Sequence, residues 1–292
     1  MPELPEVETV VRGLRGAVLG RSIVSVRLGK TDFMDDAGAI EEGLPGRRIV
    51  AVERCGKFIV VRLGAERGRA SAGALLVHLG MTGHLAAWAA EQPEKKHTHA
   101  WFALDDGREI RYTDARRFGR MAMMTEEELA REMGRLGAEP LEVSEEEFFL
   151  RIGSRRARIK AVLLDQRVLR GVGNIYADES LWRARIHPER IGSRLSAKEA
   201  AALRRALREI LLRAIALRGS SIADFVDAEG APGEYQRRHK AYGREGQACA
   251  RCGTMIRRIV VAGRSSFFCP RCQRGPRRPR KGVAKRLRKK KR

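Results

Sequence analysis

The residues with the most chemical reach stand near the two ends of the chain. It opens Met1-Pro2-Glu3-Leu4-Pro5-Glu6-Val7. Removal of Met1 would leave Pro2 with a secondary α-amine. Such amines titrate near ~7.7–8.0, well below lysine, so a useful fraction is neutral and nucleophilic at pH 7. A secondary amine attacking a sugar C1′ gives an iminium, which draws electrons, acidifies the adjacent carbon and permits a phosphate to be eliminated. Glu3 and Glu6 flank the amine, and paired carboxylates can divide acid and base roles. An ordinary Pro-Glu cap on a first helix fits the same residues, and spacing alone leaves both readings open. Toward the other end, Cys249-x2-Cys252 and Cys269-x2-Cys272 are separated by sixteen residues. Each pair can clamp one edge of a tetrahedral Zn2+. Two disulfides or four unrelated thiols are the alternative. Four thiolates leave no open position, so the reading is one structural zinc ion. Cys55 stands alone and reads as a core thiol. His97-x-His99 lacks a third acidic or thiol ligand at useful spacing and reads as a hydrogen-bonding pair.

These groups need elements to position them. Val7, Val10, Val11, Leu14 and Val18 repeat at helical spacing and predict a helix ending near Gly20. Runs rich in β-branched residues follow at 22–28, 48–54, 58–63, 74–79, 100–104 and 109–113. Many short strands without alternating helices predict an antiparallel sandwich or barrel. The pattern changes near residue 124. Thr125 and Ser144, each followed by three glutamates, read as helix N-caps with acidic first turns. Further helical patterns cover 159–164, 174–184 and 196–217, and 219–233 reads as a long, functional loop. The segment 255–268 reads as a β-hairpin around Gly263. Its Arg257, Arg258 and Arg264 could lie against phosphates or form a solvated face. The expected fold class is α+β, divided into 1–124, 125–238, 239–274 and a disordered basic tail, 275–292.

Charge bounds the partner. Lys and Arg number 59 against 36 Asp and Glu in 292 residues, a formal +23. The last eighteen residues carry eleven of those cations and no acid, which leaves +12 on the first 274. A field of that sign favours a polyanion, and nucleic acid is the commonest one. With 43% hydrophobic residues the chain can bury ordinary cores, which excludes disorder throughout. No apolar run approaches the ~18 residues of a membrane span. No charged-then-apolar signal opens the chain, and the closely paired cysteines suit a reducing compartment. The expectation is a cytoplasmic protein, monomeric and without a membrane partner.

The opening Pro2-Glu3-Leu4-Pro5-Glu6-Val7-Glu8 resembles that of the formamidopyrimidine-DNA glycosylase family, which removes oxidised purines. The likeness continues in order through His78-Leu-Gly-Met81-Thr-Gly, Asp114-Ala-Arg116-Arg117-Phe118-Gly and Gly171-Val-Gly-Asn174-Ile-Tyr-Ala-Asp-Glu179. Tyr242-Gly-Arg-Glu-Gly, the cysteine pairs and Gly263-Arg264-Ser complete it; the tail after Arg274 lies outside. The resemblance implies an N-terminal catalytic β-sandwich and a helical domain with a helix–two-turn–helix element and a lesion-capping loop. A β-hairpin zinc finger completes that fold. It implies a bifunctional enzyme that flips a damaged purine (8-oxoguanine or a formamidopyrimidine) out of duplex DNA, excises it and nicks the strand by β- and δ-elimination. By the same resemblance Pro2 is the Schiff-base nucleophile, Glu3 a proton donor and Glu6 a further acid near the nucleotide. Lys57 is associated with β-elimination and Arg264 with a phosphate and δ-elimination. Met81, Arg116 and Phe118 match side chains that fill the duplex where a nucleotide is extruded. Asn174, with Gly171 and Gly173, matches a phosphate contact at a helix start, with Lys160 as its partner; His97 and Arg155 match further DNA contacts. Ala115 and Thr98 depart from the family pattern, replacing a proline and an acid beside contact residues. An endonuclease VIII-like enzyme for oxidised pyrimidines is one alternative, opposed by Leu4 where that branch has glycine. A non-catalytic DNA-binding zinc protein on the same scaffold is the other.

Overall fold

The computed structural model describes residues 1–64, 73–221, 225 and 230–275. Helix α1 (Leu4–Val18) carries the anticipated apolar face, with Val7, Val10, Val11, Leu14 and Val18 all at most 1% exposed. Each such side chain contributes roughly 1.5–3 kcal/mol by leaving water. That face closes the space between two four-stranded antiparallel sheets. One is ordered β1-β6-β7-β5, from β1 (Ile23–Leu28), β5 (Gly83–Ala89), β6 (Thr98–Leu104) and β7 (Arg108–Asp114). The other is ordered β2-β3-β4-β8, from β2 (Ile49–Cys55), β3 (Phe58–Leu63), β4 (Gly73–His78) and β8 (Arg120–Thr125). A short helix α2 (Ala37–Gly43), capped by the Asp36 carboxylate, packs on β1 and β8.

A helical core follows. Thr125 and Ser144 cap α3 (Glu126–Gly134) and α4 (Glu145–Gly153) through their side-chain oxygens, as their spacing predicts. Helices α5 (Ile159–Leu164), α6 (Asn174–Ala184) and α7 (Ala197–Ala216) complete it, with Ser196 and Glu199 forming the cap of α7. Strands β9 (Arg257–Val261) and β10 (Arg264–Phe268) form the hairpin, turning on Ala262 and Gly263, both at positive φ. Two left-handed residues in a two-residue loop match the twist of the strands.

Three elements differ from the sequence expectation. Strands β5 and β8 and helix α2 carry no strong pattern: β8 reads Arg-Met-Ala-Met-Met-Thr, rich in helix formers, and is extended because it pairs with β4. Of the loop 219–233, residues 222–224 and 226–229 lie outside the described residues, as does the tail from 276. The two large cores meet at the start of α1. Leu4 is buried among the helices, whereas Val7 is buried in the sandwich. The first turn of α1 is therefore the seam of the molecule.

Candidate active site and nucleic-acid interface

At that seam Glu3 reaches across to the start of α6. Its carboxylate accepts the Ile175 N–H at 2.9 Å and the Tyr176 N–H at 3.4 Å, and the residue is 3% exposed. Burial raises its pKa, opposed first by Lys57 and then by those two N–H donors. A Cβ at Gly173 would lie 2.3 Å from Glu3 Cδ, and one at Gly171, where φ is +89°, 2.9 Å from Leu4 Cβ. The Leu4 N–H donates to the Gly171 carbonyl at 3.0 Å. The glycines thus make room for α1, and two N–H groups expected to meet phosphate are taken by Glu3.

Glu6 lies beside it, 2% exposed. Its Oε1 accepts the Tyr176 hydroxyl at 2.5 Å and the Ser220 N–H at 2.7 Å, and its Oε2 accepts the Glu3 N–H at 2.8 Å. Burial, then Glu3, pushes its pKa up to about 7 against those donors. Tyr176 and Ser220 were not singled out by the sequence, because residues 170 and 214 positions away carry no local signal of contact.

Pro2 is buried and Met1 half-exposed. The α-amine of Met1 is pushed below its usual range by burial, with Glu3 and Glu6 raising it and Lys57 and Arg116 lowering it. Lys57, in the turn between β2 and β3, is 8% exposed. Burial lowers its pKa, Glu3 and Glu6 oppose this, and Arg264 adds to it. The chain start, Glu3, Glu6, Lys57 and Arg264 therefore share one electrostatic neighbourhood. An amine and a carboxyl whose charged forms are both disfavoured by burial suit attack on a carbon with protonation of its leaving oxygen.

A second group faces outward. Met81 is 45% and Phe118 56% exposed, an unusual exposure for large apolar side chains. The Arg116 guanidinium sits 4.5 Å over the Phe118 ring. Asp114, fully buried, organises both loops. It accepts the Thr82 hydroxyl at 2.5 Å, the Arg116 N–H at 3.2 Å, the Gly119 N–H at 2.9 Å and the Tyr112 hydroxyl at 3.1 Å. Its place in the Asp114-Ala-Arg116 motif was the one signal for that role. His97 is exposed at positive φ, and its carbonyl accepts the Asp114 N–H at 3.0 Å. His99 is turned inward, its Nε2 3.1 Å from the Asp114 carbonyl oxygen. Thr98 is buried and its hydroxyl donates to the Lys95 carbonyl. Arg155 is exposed just after α4, and Asn174 is half-buried, its Oδ1 without a hydrogen-bond partner among the described residues.

Lys160 requires a correction. It is 0% exposed, its Nζ 2.7 Å from Asp178 Oδ1 and donating to the Ser265 carbonyl at 2.6 Å. An ammonium consumed inside the protein cannot meet a phosphate at the surface.

The four cysteines at 249, 252, 269 and 272 gather with their sulfurs all within 4.8 Å of one another. Cys252 Sγ is 3.5 Å from that of Cys269 and 3.4 Å from that of Cys272. These are too long for disulfides and close to the ~3.8 Å edge of a zinc–thiolate tetrahedron. The residues fit one structural zinc, and among the described residues no other such cluster forms. Trp182 donates its indole N–H to Cys249 Sγ, joining the module to α6.

Three family models match the chain in order: the formamidopyrimidine-DNA glycosylase N-terminal domain over residues 1–121, the H2TH domain of the same enzymes over 136–226, and a zinc finger found in FPG and IleRS over 246–275. The chain is 45% identical to the formamidopyrimidine-DNA glycosylase of Heliobacterium modesticaldum, across 94% of this chain and all of that one. A Lactococcus lactis FPG mutant in complex with Fapy-dG DNA superposes with a TM-score of 0.86 at 33% identity, and the Thermus thermophilus MutM (FPG) protein with 0.82 at 41%. Each covers 94% of this chain and all of the neighbour.

Proposed function

This chain belongs to the formamidopyrimidine-DNA glycosylase family, and from that premise we propose how its own residues divide the work. It is a bifunctional DNA glycosylase and lyase of base-excision repair, acting on oxidised purines, and the endonuclease VIII-like alternative is not favoured. Once Met1 is removed, Pro2 attacks C1′ of the extruded nucleotide as the N-glycosidic bond breaks, the bond's electrons and a proton leaving with the damaged base and the amine giving up its own proton. Glu3, whose pKa burial raises, gives a proton to the ring oxygen as the C1′–O4′ bond breaks and the sugar opens to the iminium. Glu6 stands behind as the second acid. The iminium acidifies C2′; a proton leaves there and the C3′–O bond breaks with its electrons on the phosphate. Loss of the C4′ proton then breaks the C5′–O bond. Lys57 supports the first elimination and Arg264 the second. Cys249, Cys252, Cys269 and Cys272 would hold a zinc ion whose four thiolates close its coordination, so it would serve to keep the hairpin folded.

Met81 and Phe118 fill the gap left in the duplex, which offsets a few kcal/mol of lost stacking per step, while Arg116 bonds the orphaned base. His97, Arg155 and Asn174 hold phosphates. In this reading 1–124 is the catalytic unit, 125–238 the helical DNA-binding unit, 239–274 the zinc finger and 275–292 a basic tail. The enzyme works as a monomer in the cytoplasm, at the nucleoid.

One observation carries the reading: Glu3, Glu6 and Lys57 are buried together at the start of the chain, with Glu3 N–H on Glu6, and the same place feels Arg116, which lies over the exposed Phe118 ring. The test is borohydride trapping on duplexes containing 8-oxoguanine, a formamidopyrimidine or an oxidised pyrimidine. The expected result is a covalent adduct at the N-terminal residue, strongest on the purine lesions and lost in Pro2→Gly. Binding with neither adduct nor nicking would leave a non-catalytic DNA-binding protein.

A further inference from the structure

Strand β10 pairs with β9 along one edge only, and a two-stranded ribbon leaves the backbone groups of its outer edge without partners. Here two of those groups are engaged. The Ser265 carbonyl accepts Lys160 Nζ at 2.6 Å, and the Phe267 N–H donates to Asp178 Oδ2 at 2.9 Å. Lys160 and Asp178 are themselves joined at 2.7 Å, 0% and 1% exposed. A carbonyl and the N–H two residues on are the two groups that one residue of a parallel neighbouring strand would engage. The lysine of α5 and the aspartate of α6 stand in for that residue.

A buried ion pair is a weak source of net stability, because desolvating two charges cancels most of their attraction. What it supplies here is direction: one donor and one acceptor at fixed positions on the edge of β10. Arg264, the residue before Ser265, opens that strand, and its charge is felt by Lys57. We propose that Lys160 and Asp178 are positioning residues for Arg264. They lock β10 so that this arginine faces the reacting sugar, and they govern the second elimination more than the first. The proposal rests on the reading of Arg264 given above.

The experiment uses the full zinc-loaded chain and a duplex with one abasic site, resolving the β-elimination end from the 3′-phosphate left by δ-elimination. Lys160→Met should lower the δ share on the order of tenfold, as small misplacements of a catalytic group do. The rate of β-nicking and KM for the duplex should stay within about threefold, and Lys160→Arg, which keeps a donor, should restore part of the δ share. Should Lys160→Met fail to fold with Asp178 left unpaired, Lys160→Met/Asp178→Leu leaves no lone charge and takes its place. A folded, zinc-replete variant whose β:δ partition is unchanged, or whose two steps fall together, overturns the proposal. Arg264→Ala is measured in parallel. If it leaves the partition unchanged, the reading of Arg264 fails, and that outcome is distinct from failure of the positioning.

Discussion

A nucleophilic amine and a proton-donating carboxyl both act in their uncharged forms, and burial favours both. It lowers the pKa of the chain-start amine and raises that of Glu3, because each charged form loses water. The sign follows for the pH profile. A protonated amine cannot attack, so Schiff-base formation climbs as pH rises through the amine's pKa and then levels. The same burial should act on the Pro2 amine once Met1 is gone, so single-turnover trapping should show an acid limb with its midpoint below that of a solvent-exposed N-terminal proline. A midpoint at or above that of the exposed amine would mean that the neighbouring carboxylates, and not desolvation, dominate the site. Glu3→Gln keeps the side-chain shape and one acceptor oxygen for the Ile175 N–H but removes the ionisable proton. Base excision should fall by about 10²–10⁴-fold while the Kd for an undamaged duplex changes little. Equal losses in binding and excision would instead make Glu3 a structural clasp between α1 and α6.

At the scale of elements, the site exists because α1 is driven end-on against α6, and Gly173 is what permits it. An alanine there would put its Cβ 2.3 Å from Glu3 Cδ, with Glu3 pinned by two N–H groups of α6 and Leu4 packed just behind. Gly173→Ala should destabilise the protein by about 1–3 kcal/mol and lower excision more than DNA binding, read from denaturant unfolding and single-turnover assays. Full activity would show that Glu3 can retreat without cost. This contact also marks where sequence ceases to be legible. The face of α1, the Ser and Thr caps, the hairpin and the cysteine spacing were all readable, since their causes lie within one turn or one strand. Strand β8 was not, because its methionines become extended only by pairing with β4. The glycines before α6 could be seen as sites of close approach, yet not which group approaches. Lys160 was misplaced for the same reason: burial beside Asp178 is a property of three packed elements, not of a helix start. Asp114, Tyr176 and Ser220 gain their roles from partners that only the fold brings near.

The whole molecule is two cores that must keep register for one site to exist, since Lys57 comes from the sandwich and the N–H groups holding Glu3 come from the helices. Apart from α1, a buried ionic network ties them. Arg54, at the end of β2, meets Glu139 through two hydrogen bonds of 3.1 Å and Glu8 of α1 at 2.9 Å. Arg170 adds a contact to Glu139 at 3.2 Å. Arg54 and Glu139 are 8% and 7% exposed in their side chains, so neither can return to water if the other is lost. Arg54→Met should therefore cost about 3–5 kcal/mol, most of it because buried Glu139 keeps only Arg170 as a partner and Glu8 loses its bond to Arg54. Adding Glu139→Gln should recover part of that loss, since the under-paired charge is gone. The two changes differ in their consequence for catalysis. Arg54 lies three residues before Lys57, so both variants should lower the rate of β-elimination even where stability is recovered. Calorimetry should show one cooperative transition in the parent and a broadened or split one in Arg54→Met, as the cores lose their link. A loss under about 1 kcal/mol with unchanged elimination would place the coupling in the apolar contacts of Leu4 and Val7 alone.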